Sequence, residues 1–193
     1  MRKVTFDIET QNTFQEVGSS DVTALSISVV CIHDSETDEY SSFTIDELDK
    51  LWPILEKTDM IIGYNSNHFD LPLLNKYYQG DLSHIKSLDI LAEIKETTGK
   101  RVRLDQIAEA TIGENKSGHG LQAVTWWKQG EIDKIIKYCL DDVRITKDVY
   151  DFAMKEGFLK YSIAGVEQII KLDTSHWENL DESEKPAMTQ SLF

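Results

Sequence analysis

The chain of 193 residues is poor in the residues that cross-link or punctuate a fold, with two cysteines, three prolines and ten glycines. Cys31 and Cys139 each sit inside an apolar segment, which suits reduced thiols better than a disulfide framework or a zinc site. No Pro/Gly linker divides the chain, and it carries no internal repeat or low-complexity tract, so one compact unit is expected. No apolar run approaches the ~18 residues of a membrane span. The first ten residues lack the ~7 to 15 uninterrupted apolar residues of a secretory signal and read as a strand from Lys3. A soluble, cytoplasmic protein is therefore expected. Positive charge is also scarce. Twenty Lys and Arg stand against 34 Asp and Glu, a formal net charge of −14, which argues against long-range attraction to nucleic acid or anionic membrane. What remains is a globular composition, 40% hydrophobic and 28% charged.

Short β-rich runs at residues 4–8, 24–32 and 40–45, separated by polar turns such as 33–39, predict an antiparallel meander. Asp46 and Glu47 then open an amphipathic helix, and the apolar run 60–64 predicts a strand buried on both faces. From Leu71 helical patterns dominate. The clearest runs from 131 to about 156, with Ile132, Ile135, Ile136, Cys139, Val143, Thr146, Tyr150 and Ala153 three or four apart. A meander followed by helix and strand units predicts an α/β fold, a mixed sheet flanked by helices. Residues 158–162 and 166–172 predict a hairpin around Gly165 that closes a domain over 1–172. The acidic stretch 173–193 is expected to be a flexible, solvated tail.

The chemistry lies in carboxylates. Side chains alternate along a strand, so Asp7 and Glu9 share one face while Phe6 and Ile8 take the other. By itself such a pair reads more readily as a solvated strand end than as a site. Asp70 follows an apolar strand and a polar loop, beside the large apolar Phe69, and alone it reads as a helix N-cap. Tyr138 and Asp142, four apart on the long helix, lie one above the other. If acids from a strand, a junction and a helix converge, each like pair at ~4 Å costs roughly 4 kcal/mol at an effective dielectric near 20, and a cation must sit between them. With no clustered His or Cys, an all-oxygen site favours Mg²⁺ or Mn²⁺. Two divalent cations would balance four carboxylates, the stoichiometry of two-metal phosphodiester hydrolysis.

The segments FDIET (6–10), GYNSNHFDLPLL (63–74) and YCLDD (138–142) resemble, in order and spacing, the three motifs of the DEDD 3′–5′ exonuclease superfamily on the ribonuclease H-like fold. The resemblance is strongest to the proofreading domain of family-B DNA polymerases and to stand-alone bacterial domains related to it. It spans about residues 3–157 and includes the connecting stretches 87–90 and 104–108. It implies a five-stranded mixed sheet, with Asp7, Glu9, Asp70 and Asp142 as metal ligands and catalytic acids. It also implies that Thr10, Asn65 and Phe69 contact the substrate. The superfamily divides by whether a His five residues before the last acid, or a Tyr four before it, orients the attacking water. Lys137 and Tyr138 put this sequence with the Tyr type. A phenol with reference pKa near ~10 suits positioning of water better than general-base work. Asp141, about 100° round the helix from Asp142, is read as peripheral. The activity implied is release of nucleoside 5′-monophosphates from a nucleic-acid 3′ end, single-stranded or frayed DNA favoured over RNA.

Two other readings stand beside it. One is a catalytically silent fold of this type that binds nucleic acid or a replication partner. The other is a phosphatase resembling haloacid-dehalogenase enzymes, with Asp7 as nucleophile; that family expects Asp where Glu9 stands and gives Asn65, Phe69 and Tyr138 no role. Among the remaining features, Gly113 and Gly118 superficially resemble a phosphate loop but lack the Lys-Ser/Thr after the second glycine, which leaves Lys116 and His119 as backbone contacts at most. Lys95, Lys100, Arg101 and Arg103 give 95–103 a net charge of +3, either a solvated helix end or a rim that tracks phosphates. Gln190, Leu192 and Phe193 resemble a truncated sliding-clamp-binding peptide. Residues 34–59 hold −7, residues 173–186 hold −4 and the four motif acids another −4, so the remainder is +1. The acidity therefore opposes gripping long duplex and allows weak, salt-sensitive engagement of a 3′ end.

Overall fold

Alternation of Val4, Phe6 and Ile8 with Thr5, Asp7 and Glu9 makes the first strand two-faced, and the rest of the fold is arranged on its two sides. The structure is a computed structural model that describes residues 1–114 and 120–180. In chain order its elements are β1 (Lys3–Thr10), α1 (Phe14–Val17), β2 (Ile27–Asp34), β3 (Glu39–Thr44), α2 (Leu48–Leu55), β4 (Met60–Gly63) and α3 (Asp70–Asn75). They continue with β5 (Lys86–Asp89), α4 (Ile90–Thr98), α5 (Leu104–Ile112), α6 (Gly120–Gln129), α7 (Ile132–Glu156), β6 (Phe158–Ile163) and β7 (Val166–Lys171). Among the described residues no helix is long and apolar enough to cross a membrane.

The main sheet is the expected mixed, five-stranded one, in the order β3-β2-β1-β4-β5. β1 to β3 form the antiparallel meander, while β4 and β5 run parallel to β1. The fifth strand had no visible period in the sequence, because Lys86-Ser87-Leu88-Asp89 offers a single apolar side chain. Val4, Phe6, Ile8, Val30, Ile32 and Ile61 face α2 and α3 in one core. Met60, Ile62 and Leu88 face α4, α5, α7 and the β6–β7 hairpin in a second, and Val29 and Cys31 meet α6 and α7 in a third.

The acidic tail expected from residue 173 needs correction at its start. Trp177 is 0% exposed, stacks on Tyr150 and donates its indole N–H to Glu93 at 3.0 Å. Lys3 pairs with Glu178 at 2.7 Å, and the Lys86 ammonium donates to the His176 and Asn179 carbonyls. Burying one large aromatic outweighs the local acidity, which charge counting could not register. Residues 181–193, and with them Gln190, Leu192 and Phe193, lie outside the described residues.

Candidate active site

The site forms where β1 outruns its parallel neighbour. β1 pairs with β4 through Lys3, Val4 and Thr5, so among the described residues the edge of β1 beyond Thr5 faces no strand on that side. Asp70, at the start of α3, takes up part of this edge and accepts the Ile8 N–H at 3.2 Å. The position agrees with the general habit of open α/β sheets, whose sites lie beyond the carboxyl ends of parallel strands. A register shift between Glu9 and Thr10 turns the end of β1.

Asp7 and Glu9 point to the face covered by α7. The Cys139 thiol donates to the Asp7 carbonyl at 3.3 Å, which fixes the height of the helix against the strand. Asp142 then stands over β1, one turn beyond Tyr138. Carboxylate oxygens of Asp7, Glu9 and Asp142 all lie within 4.8 Å of one another, an all-oxygen donor set that suits a hard divalent cation. Asp70 lies outside this trio but within the field of Asp7. Burial, then the charge of Asp7, holds its carboxyl well above the usual carboxylate range, against the opposing effect of the bonds from Ile8 and its own amide. Burial also pushes up the Cys139 thiol, with Cys31 beside it, and both cysteines are free and buried.

A cleft of about 500 Å³ opens over these acids and is lined by Asp7, Glu9, Asp70, Tyr138 and Asp142. All three expected substrate contacts, Thr10, Asn65 and Phe69, line it too. Of the basic segment, Arg101 does not line the cleft itself but donates its guanidinium to the side-chain oxygen of Asn65, which does, at 2.8 Å. Arg103 is turned instead to Asp105 and the first turn of α5. Lys100 is exposed and does not line the cleft. Lys116 and His119 lie outside the described residues.

Several residues here escaped sequence reasoning. Asp89 is buried and accepts four amides, from Asn65 at 2.7 Å, Asn67 at 3.1 Å, Leu91 at 3.0 Å and Ala92 at 3.3 Å. It thus caps α4 and pins the loop between β4 and α3 with the same carboxylate. That loop needs the pin, because Asn65 has φ 65° and Gly63 is packed so tightly that a Cβ there would lie 2.4 Å from the Ser66 Cβ. The signal available was an acid directly before an apolar helical run. Beside Phe69 in the cleft lining stands Phe14, whose ring meets that of Phe69 edge to face at 6.3 Å between centroids. Its helix begins with a capping box in which Thr13 and Glu16 bond reciprocally, a legible Thr-x-x-Glu pattern. Lys128 of α6 pairs with Glu16. Leu121 and Val124 of α6 extend the apolar wall.

The model of the RNase_H_2 family, in the RNase H superfamily, matches residues 4–154. The chain belongs to that superfamily, as the three motifs led us to expect. Among solved structures it is similar to the family B DNA polymerase from the hyperthermophilic archaeon Pyrobaculum calidifontis, at 21% identity and TM-score 0.62 over 80% of this chain. The match spans only 24% of the polymerase chain, and at that identity it bears on the fold alone. No curated protein matches the sequence. Together the superfamily and the acidic cluster make this a nuclease of RNase H-like fold, with a site that can bind metal.

Proposed function

We propose that the protein is a metal-dependent 3′–5′ exonuclease that releases nucleoside 5′-monophosphates from single-stranded or frayed DNA ends. The observation that carries this reading is the meeting of Asp7, Glu9 and Asp142 within 4.8 Å, beside buried Asp70, in one cleft with an apolar wall. Asp7, Glu9, Asp70 and Asp142 would hold two divalent cations, Mg²⁺ or Mn²⁺. When bound, such ions polarise the phosphodiester, lower the pKa of water and stabilise the leaving oxygen.

The chain's own residues do the remaining work. Phe14 and Phe69 offer ring faces to the terminal bases, and stacking of this kind is worth about 1–3 kcal/mol per base without reading sequence. Thr10, at the irregular end of β1, lies where the terminal nucleotide would sit. Arg101, held by Asn65, supplies a guanidinium to a backbone phosphate next to the scissile one. Tyr138 orients the attacking water, a task that suits a phenol with a reference pKa of ~10 better than general-base work. The net charge of −14 fits a substrate engaged through one end rather than along a duplex.

The test is activity on a 3′-labelled oligonucleotide in Mn²⁺ for the wild type, Asp7→Asn and Asp142→Ala. Both variants should lose at least about 10²-fold in rate, the lower range for removing a directly acting electrostatic group. A variant that keeps the wild-type rate overturns the assignment.

A further inference from the structure

We propose that β7 is a dimerisation edge, where a second copy of this chain adds its own β7 antiparallel around a two-fold axis at Ile169. The hairpin turn is Ala164-Gly165, with φ 49° and 78°, the two-residue connection that makes Ile163 and Val166 a hydrogen-bonded pair. Counting down the ladder from there, Lys160 and Ile169 form a pair whose amides and carbonyls point away from each other. On the β6 side this outward edge is already used. The Thr111 hydroxyl of α5 accepts the Lys160 N–H at 2.9 Å and donates to the Lys160 carbonyl at 3.0 Å. On the β7 side the same parity turns the amides and carbonyls of Glu167, Ile169 and Lys171 outward. Among the described residues no hydrogen bond reaches the three amides.

The side chains of β7 match a copy of themselves. Val166 and Ile169 are each 61% exposed, which is unusual for β-branched apolar residues on an open edge. Open edges are commonly protected by charge, and Glu167 and Lys171 could serve only that purpose. Their spacing does more. With Ile169 opposite Ile169 of the copy, Glu167 falls opposite Lys171 and Lys171 opposite Glu167, on the same face as the paired isoleucines. Every outward amide of the three residues then finds a carbonyl, as in strand addition to a sheet edge, the Glu167 carbonyl exchanging the N–H it now accepts from the Gln168 side chain at 3.1 Å. Each cross-strand charge pair is favourable, and the interface is self-complementary, as a two-fold contact must be. Glu167 already meets Lys160 at 2.9 Å, whereas Lys171 makes no ion pair among the described residues, so the copy would supply its partner.

Sedimentation equilibrium tests this on the full chain from about 5 to about 500 µM, the weak range expected of a one-strand interface. The wild type should move from 22.1 kDa towards twice that mass. Glu167→Lys and Lys171→Glu each set like charges opposite each other twice, and each alone should stay monomeric at unchanged circular dichroism. Mixed in equal amounts, the two variants face each other with opposite charges at both positions and should associate at least as well as the wild type. A wild type that remains monomeric at the highest concentration overturns the proposal. So do variants that dimerise as the wild type does, or a mixture that stays monomeric.

Discussion

Replacing Asp70 with Asn should stabilise the metal-free protein while abolishing its chemistry. In the folded state the Asp70 carboxylate is buried and repelled by Asp7, so its pKa lies well above the ordinary value. An acid raised in this way destabilises the native state above its unfolded pKa, most fully once the pH passes the folded value. Relief comes as pH falls through the folded value. The like-charge interaction is about 4 kcal/mol at ~4 Å and an effective dielectric near 20, and about half that at twice the distance. Asp70→Asn keeps an oxygen for the Ile8 N–H, but loses about 1 kcal/mol because the acceptor is no longer charged. The net gain is about 1–3 kcal/mol, and at about 2–4 °C per kcal/mol for a chain of this size the Tm rises by about 2–12 °C. Thermal melts followed by circular dichroism in EDTA at pH 8 measure this. The gap between variant and wild type should narrow as pH is lowered and Asp70 takes up its proton in the folded state. In Mn²⁺ the order should reverse, because the wild type gains ligand stabilisation, about 2.7 kcal/mol at a hundredfold excess over Kd, that the variant lacks. A variant no more stable than wild type at pH 8 without metal would refute the electrostatic reasoning.

Three further outcomes follow from single side chains. Asp89→Ala strips the acceptor from four amides and should cost about 2–4 kcal/mol in urea unfolding, with kcat falling more than KM rises because the loop carrying Asn65 and Phe69 loosens. Trp177→Ala empties a fully buried site and breaks the bond to Glu93, so it should cost about 3–5 kcal/mol in the same assay, a loss that a solvated tail could not produce. Arg101→Ala should raise KM with kcat unchanged and reduce the slope of log(kcat/KM) against log[salt] by about 1.

The sequence was most legible where one side chain's role follows from its position along a regular element. Alternation put Asp7 and Glu9 on one face of a strand, and the three- and four-residue spacing put Tyr138 beneath Asp142 on a 25-residue helix. It was least legible where a residue's partner lies far along the chain. Asp89 is readable locally as a helix cap, but its grip on the loop shows only through Asn65 and Asn67, more than twenty residues earlier. Trp177 sits in an acidic stretch whose composition says solvent, and its partners are Glu93 and Tyr150. Within the basic segment, composition cannot tell Arg101, which meets Asn65, from Arg103, which is turned to Asp105. β5 fell below any period because four residues with one apolar side chain carry no pattern.

The central claim is tested most directly by identifying the product. A 5′-labelled single-stranded DNA oligonucleotide should be shortened one nucleotide at a time in Mn²⁺ or Mg²⁺, with nucleoside 5′-monophosphates released and no reaction after a 3′-phosphate cap. Internal cuts, nucleoside 3′-monophosphates, or an intact substrate alongside metal-dependent binding would contradict it.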